Sequence, residues 1–237
     1  MADIIAYVPC RAGSERVKHK NTRPFAGYEK GLIEVKLNQL CQVDRLSKII
    51  VSSNDPAILD YSAWFKSNVD ARVDPRPRPD EYGSGSTSME AFIRDQIATA
   101  ETDGVMMMTH VTHPLVKPEH YVQAINAYEQ AVQDGHDSLV SVTELRRFLW
   151  RNGKPFNYDN SVEKWPRSQD IEVVHELNHA IYLMPFALMR EVGDRIGHNP
   201  LMYPMPEDVA MDIDWQEQFD FLQDLVNLRK VKGETLF

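Results

Sequence analysis

Short apolar runs alternate with amphipathic segments along the chain, and this alternation limits the fold more than any other feature. Ile4 to Pro9, Lys48 to Ser52, Val105 to Met108, Ser138 to Val142, Ile181 to Met184 and Met202 to Met205 read as strands. Between them, Leu32 to Leu40, Asp55 to Lys66, Ser86 to Ala100, Pro118 to Val132 and Trp215 to Leu228 have helical spacing. Asp55 followed by Pro56 is a helix start, with an acidic cap and a proline in the first turn. Pro75, Pro77 and Pro79 predict a loop from Asp74 to Gly85. Strands separated by helices pair in parallel, so the expected fold class is α/β: a Rossmann-like, mixed, mostly parallel sheet in one domain spanning residues 1–237. Ligands of such sheets collect beyond the carboxyl ends of the strands, which directs attention to the loops after Pro9, Val51 and Met108.

Leu145 to Glu176 departs from the alternation. Aromatic residues, prolines and charges mix there without a period, Trp150, Pro155, Trp165 and Pro166 among them, and the stretch reads as an inserted arm or lid. Its apolar content predicts a homodimer.

The loop after the first strand is the most informative segment. Arg11, Arg16, Lys18, Lys20 and Arg23 stand against Glu15 alone, a local charge of +4 in a chain of net charge -9. Such a chain repels polyanions overall, so a nucleic acid polymer is excluded as partner, while a small anion can still be gripped locally. Gly13 permits close backbone approach, and successive N–H groups can cradle phosphate. A solvated basic loop is the competing reading. The loop has neither the Gly-Lys-Ser/Thr of a P-loop nor three glycines of a dinucleotide fingerprint, which disfavours a kinase or a dehydrogenase.

Near the other end, Asp212 and Asp214 lie two residues apart and, in an extended segment, face the same way. They suit Mg2+, which prefers hard oxygen ligands. Alternatively, Asp214 with Glu217 fits a capping box for the last helix. Cys10 and Cys41 are too few for a disulfide framework, and no run approaches the ~18 apolar residues of a membrane span. A cytoplasmic protein without membrane contact is expected.

Arg11-x-Gly13-Ser14-x-Arg16, then Lys20-Asn21, resembles the nucleotide-binding signature of acylneuraminate (CMP-sialic acid) cytidylyltransferases, whose fold is of the nucleotide-diphospho-sugar transferase type. Thr112-x-Pro114-Leu115, Asn178-x-Ala180-Ile181-Tyr182, Arg78-Pro79 and Trp165-Pro166-Arg167 are similar to further motifs of that family, in the same order. The resemblance implies that Arg11, Gly13, Ser14, Arg16, Lys20, Asn21, Arg78 and His110 bind CTP, with Arg16 and Lys20 stabilising charge on its phosphates. It further implies that Arg167, Asn178 and Tyr182 bind an acidic sugar, and that Asp212 and Asp214 hold Mg2+, Asp212 being catalytic. The pattern departs at Val116 (usually arginine), His110 (a glutamine), Gly85 (an aspartate), His179 (a glycine), Glu176 (an arginine) and Cys10 (an alanine), leaving the sugar acid open. The implied reaction transfers CMP from CTP to the anomeric hydroxyl of a sialic acid-like nonulosonic acid. Another acidic acceptor, such as 3-deoxy-manno-octulosonate or a phosphonate, and a catalytically idle nucleotide-binding protein are the alternatives. His110 and His113 predict no zinc site, because Pro114 prevents a helix from aligning them.

Overall fold

The computed structural model describes residues 2–83 and 87–237, so the departure at Gly85 lies outside the described residues. Strands β1 (Ile4–Pro9), β2 (Leu46–Ser53), β3 (Val73–Pro77), β4 (Val105–Met108), β5 (Ser138–Leu145), β8 (Val174–Pro185) and β9 (Pro200–Pro204) form one sheet, ordered β3-β2-β1-β4-β8-β5-β9. β1 runs parallel to β2 and β4, β2 to β3, and β5 to β9, whereas β8 is antiparallel to both of its neighbours. A two-stranded hairpin, β6 (Trp150–Arg151) and β7 (Lys154–Pro155), stands apart.

The interior of β1 explains its nearly unbroken apolar run. Ile4, Ala6 and Val8 enter the core on one face, and Ile5 and Tyr7 enter a second core on the other. A parallel strand covered on both faces has no polar side to show. Helices α1 (Leu32–Cys41), α4 (Pro118–Gln133) and α6 (Gln216–Val231) supply the first core with Leu37, Tyr121 and Phe219. The second core takes Phe92 and Ile97 from α3 (Met89–Phe92) with its π-helical extension Ile93–Ile97, and Met189 from α5 (Phe186–Val192). Helix α2 (Pro56–Asn68) starts as its sequence predicts, the Asp55 carboxylate accepting from the Ala57 N–H at 3.0 Å.

Three expectations are corrected. The proline-rich stretch is not all loop: β3 carries Pro75 and Pro77 because it is an edge strand bonded to β2 alone, where a missing N–H leaves no partner unpaired. The segment expected as a helix from Ser86 to Ala100 is, where described, a single α-turn capped by Ser88 and then a π-helix. The arm is shorter than 145–176, since Leu145 pairs with Val174 and Thr143 with Glu176 in the main sheet. Asn157, 1% exposed, ties the arm together by donating to the carbonyls of Arg147 and Glu172, both at 2.9 Å, and accepting from the Leu149 N–H.

The topology decides where a site can form. After β1 the chain moves outward to β2 and β3, then returns to the other side of β1 with β4, leaving a switch point between β1 and β4. Antiparallel β8 begins at that same end, because Met108 at the end of β4 pairs with Tyr182, and the residues preceding Tyr182 project beyond it. The segment after β9 arrives there as well.

Candidate active site

A cavity of about 590 Å3 lies at this switch point, lined by Arg11, Ser14, Arg16, Lys20, Asn21, His110, His179, Arg195, Asp212 and Asp214 among others. The cationic loop and the late aspartate pair, some two hundred residues apart in sequence, thus face one space.

The loop leaves β1 with its backbone fastened. The Cys10 N–H donates to the Ser52 carbonyl at 2.9 Å, the Ala12 N–H to Asn54 Oδ1 at 2.9 Å, and Asn21 Nδ2 to the Arg11 carbonyl at 3.2 Å. Gly13 adopts φ 75°, in the left-handed region that favours glycine, and lies against a smaller cavity of about 200 Å3 shared with Ser14, Lys18 and Asn21. Arg16 Nη2 meets Asp214 Oδ1 at 3.1 Å, and its guanidinium carbon stands 4.9 Å from the centre of the Trp215 ring. Lys20 Nζ donates to the Ile213 carbonyl at 2.6 Å and lies 3.8 Å from Asp214 Oδ1. Burial lowers the Lys20 pKa, opposed by the charges of Asp212 and Asp214.

Ile213 sets the position of both aspartates. Its side chain is fully buried, its N–H donates to the Thr112 carbonyl at 3.0 Å, and its own carbonyl holds Lys20. The expected Asp214–Glu217 capping box is corrected: Gln218 Oε1 accepts from the N–H of Asp214 at 2.7 Å and of Trp215 at 2.8 Å. The Asp214 carboxylate is therefore free of capping and faces the two cations.

Asp212 has a different neighbour. Its Oδ1 is 4.0 Å from Nδ1 of the fully buried His113, and both atoms are buried with no hydrogen-bond partner among the described residues. His113 Nε2 lies 2.8 Å from the Asn178 carbonyl, which can only accept, so the ring proton sits on Nε2 and Nδ1 presents a bare lone pair. Burial pushes the His113 pKa down to about 4, and the charge of Asp212 opposes that shift. Two facing acceptors without a donor match a cation, and a carboxylate oxygen suits a hard divalent ion. Among the described residues no cluster of three or more His, Cys, Asp or Glu could hold a metal on its own. Phosphate oxygens and water would have to complete the shell.

Other residues named from the sequence lie outside this cavity, Tyr182 in the wall of a neighbouring one. Arg78 does not line the cavity; it is 6% exposed, donates to the Ser52 carbonyl at 2.8 Å and stacks 4.2 Å from the centre of Phe92, bracing the end of β2. The Asn178 side chain accepts from Ser141 Oγ at 2.6 Å and from the Ala180 N–H at 3.2 Å, which holds the irregularity in β8. Tyr182 is buried, with its hydroxyl 2.5 Å from His179 Nδ1. Arg167 is bound to Asp170 at 2.7 Å with its side chain 79% exposed, and it lines none of the cavities described here.

His113, His179 and Arg195 were not singled out in the sequence as site residues. Only His179 carried a signal, as a substitution at a glycine position, and its φ of 60° shows why glycine is favoured there. His110 forms part of the cavity wall, and burial together with the neighbouring His113 holds its pKa well below the ordinary histidine value.

Several known proteins are similar to this chain over most of its length. A pseudaminic acid cytidylyltransferase of Campylobacter jejuni subsp. jejuni serotype O:23/36 is 23% identical over 239 residues, covering 98% of this chain and 99% of the relative. A CMP-N,N'-diacetyllegionaminic acid synthase of Legionella pneumophila is 26% identical over 192 residues, covering 76% and 77%. The solved structure of a CMP:2-keto-3-deoxy-manno-octonic acid synthetase complexed with CTP shares the fold, with a TM-score of 0.64 at 12% identity over 96% of this chain and 100% of that one. The family model described as cytidylyltransferase matches residues 5–234, and the chain belongs to that family of nucleotidyltransferases.

Proposed function

We propose that this protein transfers CMP from CTP to the anomeric hydroxyl of a sialic acid-like nonulosonic acid and releases pyrophosphate. The observation that carries the reading is the convergence of the Arg11–Asn21 loop with Asp212 and Asp214 on one cavity. Relatives named for pseudaminic and legionaminic acids support the acceptor class.

CTP would lie across the ends of β1 and β4 with its phosphates against Arg11, Ser14, Arg16, Lys20 and Asn21. The acceptor's hydroxyl oxygen attacks the α-phosphorus in line, the bond from that phosphorus to the pyrophosphate oxygen breaks, and the hydroxyl proton passes to solvent. Arg16 and Lys20 stabilise the charge that gathers on the phosphates. Asp212 would hold Mg2+, with Asp214 a second ligand once phosphate draws Arg16 away; when bound, the ion neutralises charge on the triphosphate. His113, through Nδ1, keeps Asp212 beside a neutral acceptor rather than a competing cation.

The test is pyrophosphate release from each of the four nucleoside triphosphates with sialic, legionaminic, pseudaminic and 3-deoxy-manno-octulosonic acids. Release with CTP and a nonulosonic acid is expected. Turnover with the octulosonic acid alone would move the acceptor outside the proposed class, and no release with any pair would leave a binding protein. A homodimer formed through the arm is part of the same reading, supported by Trp150, Phe156 and Trp165, each at least 45% exposed. A monomeric mass in solution would refute it.

A further inference from the structure

A second cavity, of about 530 Å3, adjoins the first; the two share Met89 and Arg195. We infer that this second cavity seats the acceptor and that Arg195 grips its carboxylate, a specificity role for a residue outside the phosphate-binding loop. The inference rests on the acceptor class proposed above.

Arg195 is the guanidinium between the two spaces, and among the described residues no carboxylate comes within ion-pair distance of it. Its carbon stands 4.5 Å from the centre of the Tyr182 ring, and Nη2 lies 3.3 Å from His179 Nδ1. Stacking on one face and one hydrogen bond fix the plane of the group, while its other N–H donors remain for a ligand. A planar, oriented and unpaired guanidinium is the donor array that a carboxylate accepts in bidentate fashion.

His179 extends the array. Its Nδ1 accepts from the Tyr182 hydroxyl at 2.5 Å and from Arg195, so Nδ1 carries no proton and the neutral ring bears its N–H on Nε2. Burial first and Arg195 second lower the pKa of this histidine, which keeps it in that neutral form. The residue also occupies a left-handed backbone conformation, φ 60°, that a side chain rarely adopts. Local strain of this kind persists where surrounding contacts over-determine it, and here those contacts are Tyr182 and Arg195. Ile93, Val192 and Ile196 give the same cavity an apolar flank, suited to the methyl groups of N-acyl substituents. Arg167, paired with Asp170 on the exposed arm, lines neither cavity.

The experiment compares wild type, Arg195→Met and Arg195→Lys, using the acid that the wild type turns over and its methyl ester. Arg195→Met is expected to raise the acceptor KM about 100-fold, with CTP affinity by calorimetry within about 2-fold of wild type, and Arg195→Lys to recover part of the loss. Wild type should discriminate against the ester by a similar factor, whereas Arg195→Met should treat acid and ester alike. An unchanged acceptor KM in Arg195→Met overturns the assignment. So does retained acid-over-ester discrimination, or a loss confined to CTP affinity, which would make Arg195 a nucleotide ligand. Calorimetric CTP binding also reports that each variant is folded. If the wild type turns over none of the acids, the acceptor reading falls and takes this inference with it; if it does turn one over, only the role of Arg195 is at stake.

Discussion

Lys36 provides a sharp test of the energetics beneath the site. It lies in α1, fully buried, and its Nζ donates to the His113 carbonyl at 3.0 Å and to the Tyr121 hydroxyl at 2.6 Å. Neither partner is charged, and among the described residues no carboxylate pairs with it, so burial lowers its pKa from 10.5 to about 7. Between those two values the unfolded chain binds a proton that the folded protein lacks, so stability rises as pH rises through that window. Below pH 7 both states are protonated, and Lys36 contributes no slope. At pH 7 the mismatch costs about 4 kcal/mol, falling to about 2 kcal/mol at pH 9. Replacing Lys36 by Met removes this term and forfeits two hydrogen bonds of ~1 kcal/mol each. The Lys36→Met protein should therefore be more stable than wild type by about 2 kcal/mol at pH 7 and nearly equal to it at pH 9. Urea unfolding across this range, with m-values compared to confirm a common unfolded state, measures the gap directly. A gap that stays constant between pH 7 and pH 9 would refute the reasoning, because Lys36 would then titrate normally.

Asp212→Asn should lower kcat/KM about 100-fold or more and weaken the dependence on divalent ions, read from pyrophosphate release against Mg2+ concentration; intact turnover would remove Asp212 from the proposed metal site. Gly31→Ala should destabilise by about 3 kcal/mol or more, a Tm fall of roughly 6–12 °C by calorimetry. Gly31 sits at φ 70°, and an added Cβ would fall 2.2 Å from the Arg23 carbonyl oxygen, backbone that cannot step aside. Cys10 should resist iodoacetamide at pH 8 in the native protein, because burial pushes its thiol up to about 12 and leaves almost no thiolate; peptide mass spectrometry before and after denaturation checks this.

Features that depend on near neighbours were legible in the sequence. β1 announced itself as a covered strand because Ile4 to Val8 needs no polar face, and Asp55-Pro56 started a helix because cap and first turn are local events. The cationic loop after β1 was legible at a strand's carboxyl end because an α/β topology sends such loops to one edge, whereas Asp212 and Asp214, which line the same cavity as Arg11, Arg16 and Lys20, were marked by their spacing and the family resemblance. Arg167 is named by its family motif alone, and the motif does not disclose that it pairs with Asp170, three residues on, outside both cavities. Gln218 rather than Glu217 caps the last helix, a choice between adjacent side chains that depends on exact backbone direction.

By itself, then, the sequence determined which segments bury themselves, where helices begin, and that a cationic loop and a carboxylate pair existed to be brought together. Only the tertiary structure decided what stands beside them. Lys20 reaches a carbonyl 193 residues away, and His113 meets the backbone of Asn178, 65 residues on, because the sheet order places β4 between β1 and the antiparallel β8. Pairings of that length are set by how strands assemble, and assembly minimises the free energy of the whole core rather than of any local window. For the same reason Arg195, unremarkable in the sequence, comes to stand between two cavities with no carboxylate partner among the described residues, beside a His179 held in a left-handed backbone conformation.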